Sequence, residues 1–542
     1  MQKRLKRLSP HDHLDCVIVG HNDMDFRMVQ SDLEKTNNYS GAYGDLKANS
    51  LNFHGKRVTY MELLNQVLEQ ARGEPSELDV CEMPHLGAAY MKSFLEKRNL
   101  NVEIVNSFTR GKDRLRHLLS FAPNAVAITT TFYVDHGPII DIVEFVRQYS
   151  PGTRIIVGGP HIFNLHSSED IPTLEFIFGM IGADIYIFDS QGEHTLSLVL
   201  EELRKSRDAC LDRVPNLTYT YDGTTFRRTR RQVESNDMDE NSVDWGRFDN
   251  SFYTPTVQTR TARSCAFSCA FCKYPAIAGP LNLTSLEVIE SELRAFEENG
   301  VKNVVFIDDT FNVPLPRFKQ ICRMIIKNGF SFDWFSFFRC SNSDDEAFDL
   351  MAKSGCKGVF LGIESGDTQV LKLMNKFADV DRYKYGIRSL TERGITTFAS
   401  IIVGFPGETE QSIKNTIDFL QEAPPTFYRA ELYYHYTNVP IHQRAKELGI
   451  VGAGYSWKHN SMDWRTAGNF VYEIYNQVKG PAVLPGYMFD FWVIPYLTGK
   501  GFKVDQIVEF TRNAQEIMIR SLDDSFPDTS EQERRMEAIF SA

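Results

Sequence analysis

Short apolar runs alternate with amphipathic stretches over the first 230 residues. The runs are rich in β-branched residues and have the length of buried strands, whereas apolar residues recur at helical spacing in the stretches between them. Strands are predicted at 15–20, 101–105, 125–131, 154–159 and 183–188, and helices at 86–99, 138–149 and 195–204. This order predicts a parallel sheet with ligands beyond the carboxyl ends of its strands.

A second strand–helix alternation begins near residue 256. Strands are predicted at 256–260, 303–312, 334–339, 358–366 and 398–408, and a helix at 286–299. The pattern favours a βα barrel, in which functional groups project from the carboxyl ends of the strands. A polar, acidic stretch at 234–244 separates the two sets. We therefore predict an α/β protein with a Rossmann-like domain at 1–232, a linker at 233–250, a barrel at 251–432 and a capping region at 433–542.

Aromatic residues are frequent in the capping region. They include Tyr433, Tyr455, Trp457, His459 and Trp464. Such residues either cover a bound substrate or pack between domains, and the sequence leaves both interpretations open.

Composition and charge restrict the class of protein. Hydrophobic residues make up 42% of the 542 positions, and the net charge of −12 argues against a broad nucleic-acid-binding surface. No long apolar segment follows the basic run at 3–7, so no signal peptide is expected, and the apolar run at 489–497 is too short to span a bilayer. Nine cysteines without regular pairing suit a reducing compartment. We expect a cytoplasmic protein with no membrane or nucleic-acid partner.

Three cysteines with C-x3-C-x2-C spacing form the most specific motif of the chain: Cys265, Cys269 and Cys272. Three thiolates on one short loop suit an iron–sulfur cluster, and a fourth iron without a protein ligand can bind substrate or cofactor. A structural zinc site needs a fourth Cys or His, and none follows at suitable spacing. The loop therefore predicts a cluster with an open coordination position.

Small and hydroxyl residues mark the predicted strand ends of the first sheet. They let a bulky polar ligand approach the backbone closely. The residues are Thr129, Thr130, Thr131, Gly158, Gly159, His161, Gly192 and Glu193. Because the chain lacks both a G-x-G-x-x-G turn after its first strand and a Walker A loop, a dinucleotide or nucleoside triphosphate site is poorly supported.

The cysteine spacing resembles that of the radical S-adenosylmethionine (SAM) superfamily. The resemblance implies a partial (β/α)6 barrel and a [4Fe-4S] cluster whose open iron binds SAM, which is cleaved on reduction to a 5'-deoxyadenosyl radical. Phe271 matches the aromatic residue that the family places against adenine, although simple loop packing is an equal alternative.

Further strand-end residues match the family's G-I-E-S-G and G-F-P-G-E patterns at 362–366 and 404–408. Asp308 or Asp309 could accept hydrogen bonds from the SAM ammonium, and Glu364 or Ser365 could bind the ribose hydroxyls. Gly404 would expose backbone groups to adenine, and Arg339 ends a barrel strand as another cofactor-binding candidate. A helix N-cap or a solvated loop position is the alternative role for each acid.

The first domain resembles the cobalamin-binding domain that precedes many radical SAM barrels. The D-x-H-x-x-G motif of enzymes with a histidine cobalt ligand is missing, so the resemblance implies a base-off corrinoid. His161 then becomes a contact to the corrinoid tail or an ordinary loop histidine. Across almost the whole chain, the similarity is closest to the PhpK-like phosphinothricin P-methyltransferase group.

These features predict a cobalamin-dependent radical SAM methyltransferase acting on an unactivated carbon or a phosphinate P–H centre. Its substrate would be a small-molecule or peptide natural-product precursor, and its reductant a flavodoxin or ferredoxin. One alternative is a cobalamin radical SAM enzyme that rearranges or cyclises its substrate without methylation. Another is a corrinoid and iron–sulfur sensor without turnover. The sequence assigns no catalytic residue.

Overall fold

A computed structural model describes residues 13–22, 25–36, 40–133, 135–487 and 489–541. The basic run at 3–7, and the signal-peptide prediction that rests on it, lie outside these residues. Within the described ranges, every helix is too short or too polar to cross a membrane.

Each of the ten predicted strands overlaps one of the strands that the structure describes. They are β1 (Cys16–His21), β2 (Leu51–Phe53), β3 (Lys56–Val58), β4 (Val102–Ser107), β5 (Ala125–Thr129), β6 (Arg154–Gly158), β7 (Ile185–Ile187), β8 (Leu217–Thr220), β9 (Phe226–Arg228), β10 (Thr256–Thr259), β11 (Ala262–Arg263), β12 (Asn282–Leu283), β13 (Asn303–Phe306), β14 (Asp333–Phe338), β15 (Cys356–Glu364), β16 (Thr396–Val403), β17 (Phe427–Leu432), β18 (Val451–Ala453), β19 (Ser456–Lys458) and β20 (Ala482–Val483).

Helices separate most of these strands. They are α1 (Phe26–Thr36), α2 (Gly41–Ala48), α3 (Tyr60–Arg72), α4 (Leu86–Glu96), α5 (Phe108–Leu119), α6 (Gly137–Tyr149), α7 (Pro160–Ser168), α8 (Ile171–Ile181), α9 (Glu193–Lys205), α10 (Tyr274–Ala278), α11 (Leu286–Glu298), α12 (Leu315–Asn328), α13 (Asp345–Lys353), α14 (Thr368–Leu373), α15 (Val380–Glu392), α16 (Glu410–Glu422), α17 (Ala445–Leu448), α18 (Trp464–Gln477), α19 (Val493–Gly499), α20 (Val504–Arg520) and α21 (Ser530–Phe540).

The first sheet has a parallel core in the order β4-β1-β5-β6-β7, extended by antiparallel β8 and β9. Side chains of β1 alternate between two hydrophobic cores: Val17 and Val19 pack in one, Cys16 and Ile18 in the other. A strand that is buried on both faces reads as a continuous apolar run, which is why the sequence pattern identified it.

The second sheet is parallel throughout, in the order β10-β13-β14-β15-β16-β17-β20. Its first six strands follow one another in chain order with helices between them, as in a partial (β/α)6 barrel. Several covering helices begin at side-chain N-caps, namely Asp344, Asp379 and Thr409, each accepting a hydrogen bond from a backbone N–H. The α/β fold class is therefore confirmed.

Contacts within the chain define two compact units with bounds that differ from the predicted domains. The first unit comprises 1–25, 81–254 and 287–295, and the second comprises 26–80, 255–286 and 296–542, as far as these ranges are described. Residues 26–80 belong to the second unit because α3 packs against α21 and β2 packs against α20. The boundaries at 232, 250 and 432 stay predictions.

Candidate functional site

The cysteine loop leaves the second sheet after β10 and is held by backbone hydrogen bonds on both sides. The N–H of Ala270 donates to the carbonyl of Met374 at 2.8 Å, and the carbonyl of Ala270 accepts from the N–H of Ile441 at 2.9 Å. Asn375 adds a side-chain bond to the carbonyl of Ser268 at 2.8 Å. The loop conformation is thus fixed by the surrounding chain.

The three cysteines of this loop carry free thiols, with Cys269 buried and Cys265 and Cys272 half-buried. Burial raises the pKa of the Cys269 thiol, although Lys376 and Arg339 oppose the rise. Burial also raises the pKa of Cys272, and the neighbouring cysteines add to that effect. A positively charged partner favours the thiolate form of such partly desolvated thiols.

Among the described residues, no three His, Cys, Asp or Glu side chains converge closely enough to hold one metal ion. The residues that the structure offers to the predicted iron–sulfur cluster are the three free thiols of the fixed loop. Thiolates are the usual ligands of such clusters.

The paired carboxylates after β13 have different roles. Asp308 is buried and accepts hydrogen bonds from the N–H of Thr261 at 2.8 Å, from the Thr261 hydroxyl at 2.9 Å and from the N–H of Ala262. Burial raises its pKa to about 6, although these donors oppose the rise. Because its oxygens bind the segment that leads into the cysteine loop, Asp308 positions that loop and is not available to SAM.

Asp309 is exposed, and its charge acts on Cys272 and Tyr274. Nearby protein raises the pKa of its carboxyl to about 7, and Asp308 adds to the rise. Of the two acids, Asp309 is the one that solvent reaches.

Arg339 follows β14 with its guanidinium buried beside the cysteine loop. Its Cζ lies 3.7 Å from the ring centroid of Phe267, between the first two cysteines. Its backbone N–H donates to Asn312 Oδ1 at 3.0 Å. The Nη2 atom is buried without a hydrogen-bond partner in the described structure. A buried guanidinium nitrogen without an acceptor suits an anionic group such as the carboxylate of SAM.

Glu364 ends β15 in a left-handed conformation with φ of 67°, and its side chain is buried. Its Oε1 accepts a hydrogen bond from Lys376 Nζ at 2.7 Å. A non-glycine residue at positive φ is strained, and such strain concentrates at functional sites. Lys376 Nζ also lies 5.6 Å from the ring centroid of Phe271, which makes a T-shaped contact with Phe405.

Two of the predicted SAM contacts lie in packed surroundings. Ser365 is fully buried, and its hydroxyl accepts from the N–H of Asp367 at 3.1 Å. Gly404, at φ of 94°, donates its N–H to Glu408 and accepts from His459 at 3.1 Å, and a Cβ there would lie 2.5 Å from Trp457. Both backbone groups of Gly404 are therefore already bonded.

Glu408 is a buried carboxyl that sequence analysis assigned only to a motif. Burial raises its pKa from an ordinary 4.5 to about 8, although the N–H groups of Gly404 and Phe405 oppose the rise. Between these values the folded chain holds a proton that the unfolded chain has released, so the free energy of unfolding falls as pH rises from 4.5 to 8.

We expect Glu408→Gln to remove this pH dependence, because the amide keeps an acceptor oxygen but does not titrate. Relative to the variant, wild-type protein should lose at most about 1.4 kcal/mol of unfolding free energy per pH unit. Denaturant unfolding of both proteins between pH 6 and 8 measures the difference. Parallel stability curves would contradict the assignment.

The aromatic residues of the capping region contribute mainly to packing. Trp457 is buried, stacks on His459 at 5.0 Å and donates to the carbonyl of Tyr433 at 2.7 Å. Tyr433 in turn is hydrogen-bonded to His435 at 3.1 Å. In contrast, Tyr434 is exposed. The packing interpretation therefore holds for Tyr433, Trp457 and His459.

The threonines after β5 and the glycines after β6 meet at the carboxyl edge of the first sheet. The Thr130 N–H and hydroxyl donate to the carbonyl of Gly158 at 3.0 and 2.9 Å, and the Thr130 hydroxyl accepts from the His161 N–H at 3.2 Å. Gly159 has φ of 108°, and a Cβ there would come within 2.9 Å of that hydroxyl. Thr129 and Thr131 share a hydroxyl hydrogen bond at 3.1 Å. Thr130 therefore fills the space beside Gly159, and the positive φ and close approach at that position both require glycine.

Gly192 and Glu193 begin α9 at this edge. Gly192 is the N-cap residue at φ of 80°, and Glu193 accepts a hydrogen bond from Asn236 at 3.0 Å. The Glu234 carboxylate caps the same helix, accepting from the N–H groups of His194 and Thr195 at 2.9 and 2.8 Å. Residues predicted as linker therefore close this part of the edge.

Sequence analysis missed an aromatic cluster at the same edge. The His21 ring contacts His85 at 4.6 Å and stacks on the exposed Phe132 at 5.3 Å. His85 Nδ1 accepts from the N–H of Ala88 at 3.0 Å, so the ring proton is on Nε2, which is buried without a hydrogen-bond partner in the described residues. Burial lowers the pKa of His85 far below its ordinary value, with His21 adding to the effect. A neutral ring with this tautomer offers a donor to a ligand and no lone pair to a metal. In the sequence, the signal for this cluster was the pair of polar residues His21 and Asn22 at the end of the first strand.

Comparison with known families identifies the cysteine-loop region. Residues 259–420 match the model of the Radical SAM superfamily. The match confirms the radical SAM domain and with it the expectation of an enzyme. This superfamily uses SAM and a [4Fe-4S] cluster.

Two curated relatives align with much of the chain. The uncharacterized methyltransferase PH0819 of Pyrococcus horikoshii is 24% identical over 351 residues, covering 62% of this chain and 73% of its own length. The anaerobic magnesium-protoporphyrin IX monomethyl ester cyclase of Cereibacter sphaeroides is 24% identical over 366 residues, covering 62% of this chain and 55% of its own length. The chain thus spans only about half of the cyclase.

Solved structures of TsrM, a radical SAM methyltransferase from Kitasatospora setae, have a similar fold. The form with tryptophan substrate and a SAM analogue bound has a TM-score of 0.59 at 16% identity, covering 82% of this chain and 97% of TsrM. The form with cobalamin and a [4Fe-4S] cluster has a TM-score of 0.54 at 19% identity, covering 69% of this chain and 74% of that one. At this identity the similarity establishes the fold alone.

Proposed function

We propose that the chain is a cobalamin-dependent radical SAM methyltransferase. The observation that carries the proposal is the fixed three-cysteine loop in the radical SAM domain. The chain also contains a Rossmann-like sheet, and its fold is similar to that of TsrM over 82% of this chain. TsrM and PH0819 are both described as methyltransferases. The cluster would supply the electron that cleaves SAM, and the corrinoid would carry the methyl group.

Five residues around the loop are assigned to SAM or the cluster. Cys265, Cys269 and Cys272 would hold the cluster, Arg339 would bind the SAM carboxylate through its unpartnered Nη2, and Asp309 would accept from the SAM ammonium. With these contacts, Arg339 and Asp309 would hold the carboxylate and ammonium groups of SAM at the cysteine loop.

Two further contacts complete the assignment. Phe271 would lie against adenine, and Glu364 would accept from the ribose hydroxyls. Ser365 and Gly404 are left out because their polar groups are already bonded.

The carboxyl edge of the first sheet is assigned to the corrinoid. Gly158 and Gly159 lie at this edge beside Ile187 and Thr130, and Thr131 and the tail-contact candidate His161 line the same edge. We assign a base-off corrinoid because the D-x-H-x-x-G motif is missing. His85 does not contradict this assignment, since its nitrogen that lacks a partner carries a proton and offers no lone pair.

For the substrate, we propose a natural-product precursor with an unactivated carbon or a phosphinate P–H centre, as in the PhpK-like group. A flavodoxin or ferredoxin is proposed as the electron donor. A second candidate function is ring formation without methylation, favoured by the 24% identity to the anaerobic cyclase.

Reconstituted protein incubated without oxygen with methyl-labelled SAM, cobalamin and a strong reductant tests the proposal. We expect release of 5'-deoxyadenosine and label in the corrinoid, both measured by mass spectrometry, with an unreduced sample as control. Deoxyadenosine with an unlabelled corrinoid would favour the cyclising alternative. Failure to release any deoxyadenosine would favour a sensor and contradict the methyltransferase.

A further inference from the structure

Lys376 is a buried cation beside the cysteine loop that no motif identifies. Its side chain is about nine-tenths buried, and its Nζ donates to Glu364 Oε1 at 2.7 Å. The same Nζ lies 5.6 Å from the ring centroid of Phe271, which stands between the second and third cysteines. Lys376 therefore joins the cysteine loop to the end of β15.

A tight turn places Lys376 at this position. The residue follows α14, and its N–H donates back to the carbonyl of Leu371 at 3.0 Å. Its neighbours Asn375 and Phe377 both have left-handed backbone, with φ of 52° and 49°. Asn375 also bonds the carbonyl of Ser268 in the cysteine loop at 2.8 Å. Lys376 is thus flanked on both sides by left-handed residues, of which Asn375 is bonded to the loop and Phe377 is the more strained.

The space around the ion pair is shaped for it. A Cβ at Gly362 would lie 2.6 Å from Glu364 Oε1 and 3.1 Å from Lys376 Nζ, so a side chain at that position of β15 would displace the ion pair. The pairing of β15 with β16 is irregular between Gly362 and Glu364, which turns the Glu364 side chain toward the lysine. The sheet edge thus holds one positive and one negative charge in a fixed arrangement.

We propose that Lys376 is a positioning residue that orients Glu364 and Phe271 and whose positive charge raises the reduction potential of the cluster on the cysteine loop. The inference rests on the proposed iron–sulfur function. On reduction, one electron from an added reductant enters the cluster and no bond forms or breaks, so the cluster gains one negative charge. A fixed cation nearby stabilises that charge, and a fixed anion opposes it.

The two partners should therefore act with opposite sign. Lys376→Met keeps the length of the side chain but removes its charge, which leaves the Glu364 carboxylate near the cluster and disfavours reduction. Glu364→Gln keeps an oxygen acceptor for Lys376 and leaves the lysine charge uncompensated, which favours reduction. The double variant removes both charges, so its potential should lie near that of wild-type protein.

The experiment is a redox titration of the anaerobically reconstituted protein without SAM, followed by electron paramagnetic resonance of the reduced cluster. For Lys376→Met we expect the ratio of reduced to oxidised cluster at a fixed potential to fall about tenfold, equivalent to about 59 mV for a one-electron couple. Lys376→Arg should restore most of the wild-type ratio. Lys372→Met is the matched control, since Lys372 is exposed on α14 of the same segment, and should leave the ratio unchanged.

Iron and sulfide content distinguishes a failure of the proposed iron–sulfur function from a failure of the role of Lys376. A wild-type protein that binds no cluster would refute the proposed function itself. A loaded Lys376→Met protein with an unchanged potential, or shifts of equal sign in the two single variants, would overturn the role of Lys376. If Lys376→Met binds no cluster, Glu364→Gln decides: a rise in the reduced fraction supports the proposal, and no rise contradicts it.

Discussion

Cys269→Ala is expected to abolish cluster binding in the reconstituted protein. Cys269 is the buried member of the three-cysteine set, and its thiol lies next to Ala270, whose backbone is bonded on both sides. The predicted [4Fe-4S] cluster needs three protein ligands, and the variant leaves only two thiolates on the loop. Iron and sulfide content, together with the broad visible absorption of the cluster, should fall to background.

A matched control is Cys340→Ala, which removes another buried thiol of the second unit. Cys340 packs against Gly386, where a Cβ would lie 2.9 Å from its sulfur, and it is absent from the cysteine loop. We expect this variant to keep its iron. Unchanged iron in Cys269→Ala, or equal loss in both variants, would contradict the assignment of the ligands.

The second large effect is expected from Asp308→Ala. Oδ1 of the buried carboxyl accepts from the N–H groups of Thr261 and Ala262, and Oδ2 accepts from the Thr261 hydroxyl, so alanine leaves these donors without their acceptors. Buried donors without acceptors should lower the free energy of unfolding by about 3 kcal/mol. Because these bonds fix the segment before the cysteine loop, cluster content should fall as well. Denaturant unfolding and iron analysis measure the two effects.

Asp309→Asn provides the comparison at the adjacent position. Its carboxylate is exposed, so the free energy of unfolding should change by no more than about 0.5 kcal/mol. Loss of a charge opposite the SAM ammonium should instead weaken SAM binding roughly tenfold. Equal stability losses in the two variants would show that the assignment of a positioning acid and a ligand-binding acid is wrong.

Strand ends were the part of the site that the sequence could predict. Apolar runs that stop at a polar residue locate the carboxyl edge of a parallel sheet, and the acids at 308–309 and 364 lie there. The pattern cannot say which acid turns inward, because adjacent residues on an extended chain point to opposite sides and only the packing of Thr261 selects Asp308.

Other features depend on contacts distant in sequence. Lys376 lies in a short turn without a motif, and its role depends on the backbone of Glu364. His85 is one of thirteen histidines in the sequence, and its contact with His21 is visible only in the structure. The sequence of residues 26–80 does not predict that they belong to the second unit. Their membership depends on packing against helices near the other end of the chain.

The bonds at Ala270 also affect how the cluster site forms. Its N–H and carbonyl are held by Met374 and Ile441, so the loop gains its shape from the rest of the folded unit. The conformational entropy of the loop is then lost during folding, before any iron arrives, and does not count against cluster binding. Cluster insertion into the folded apoprotein therefore needs little rearrangement of the main chain, in contrast to small metal-binding domains that fold only around their metal.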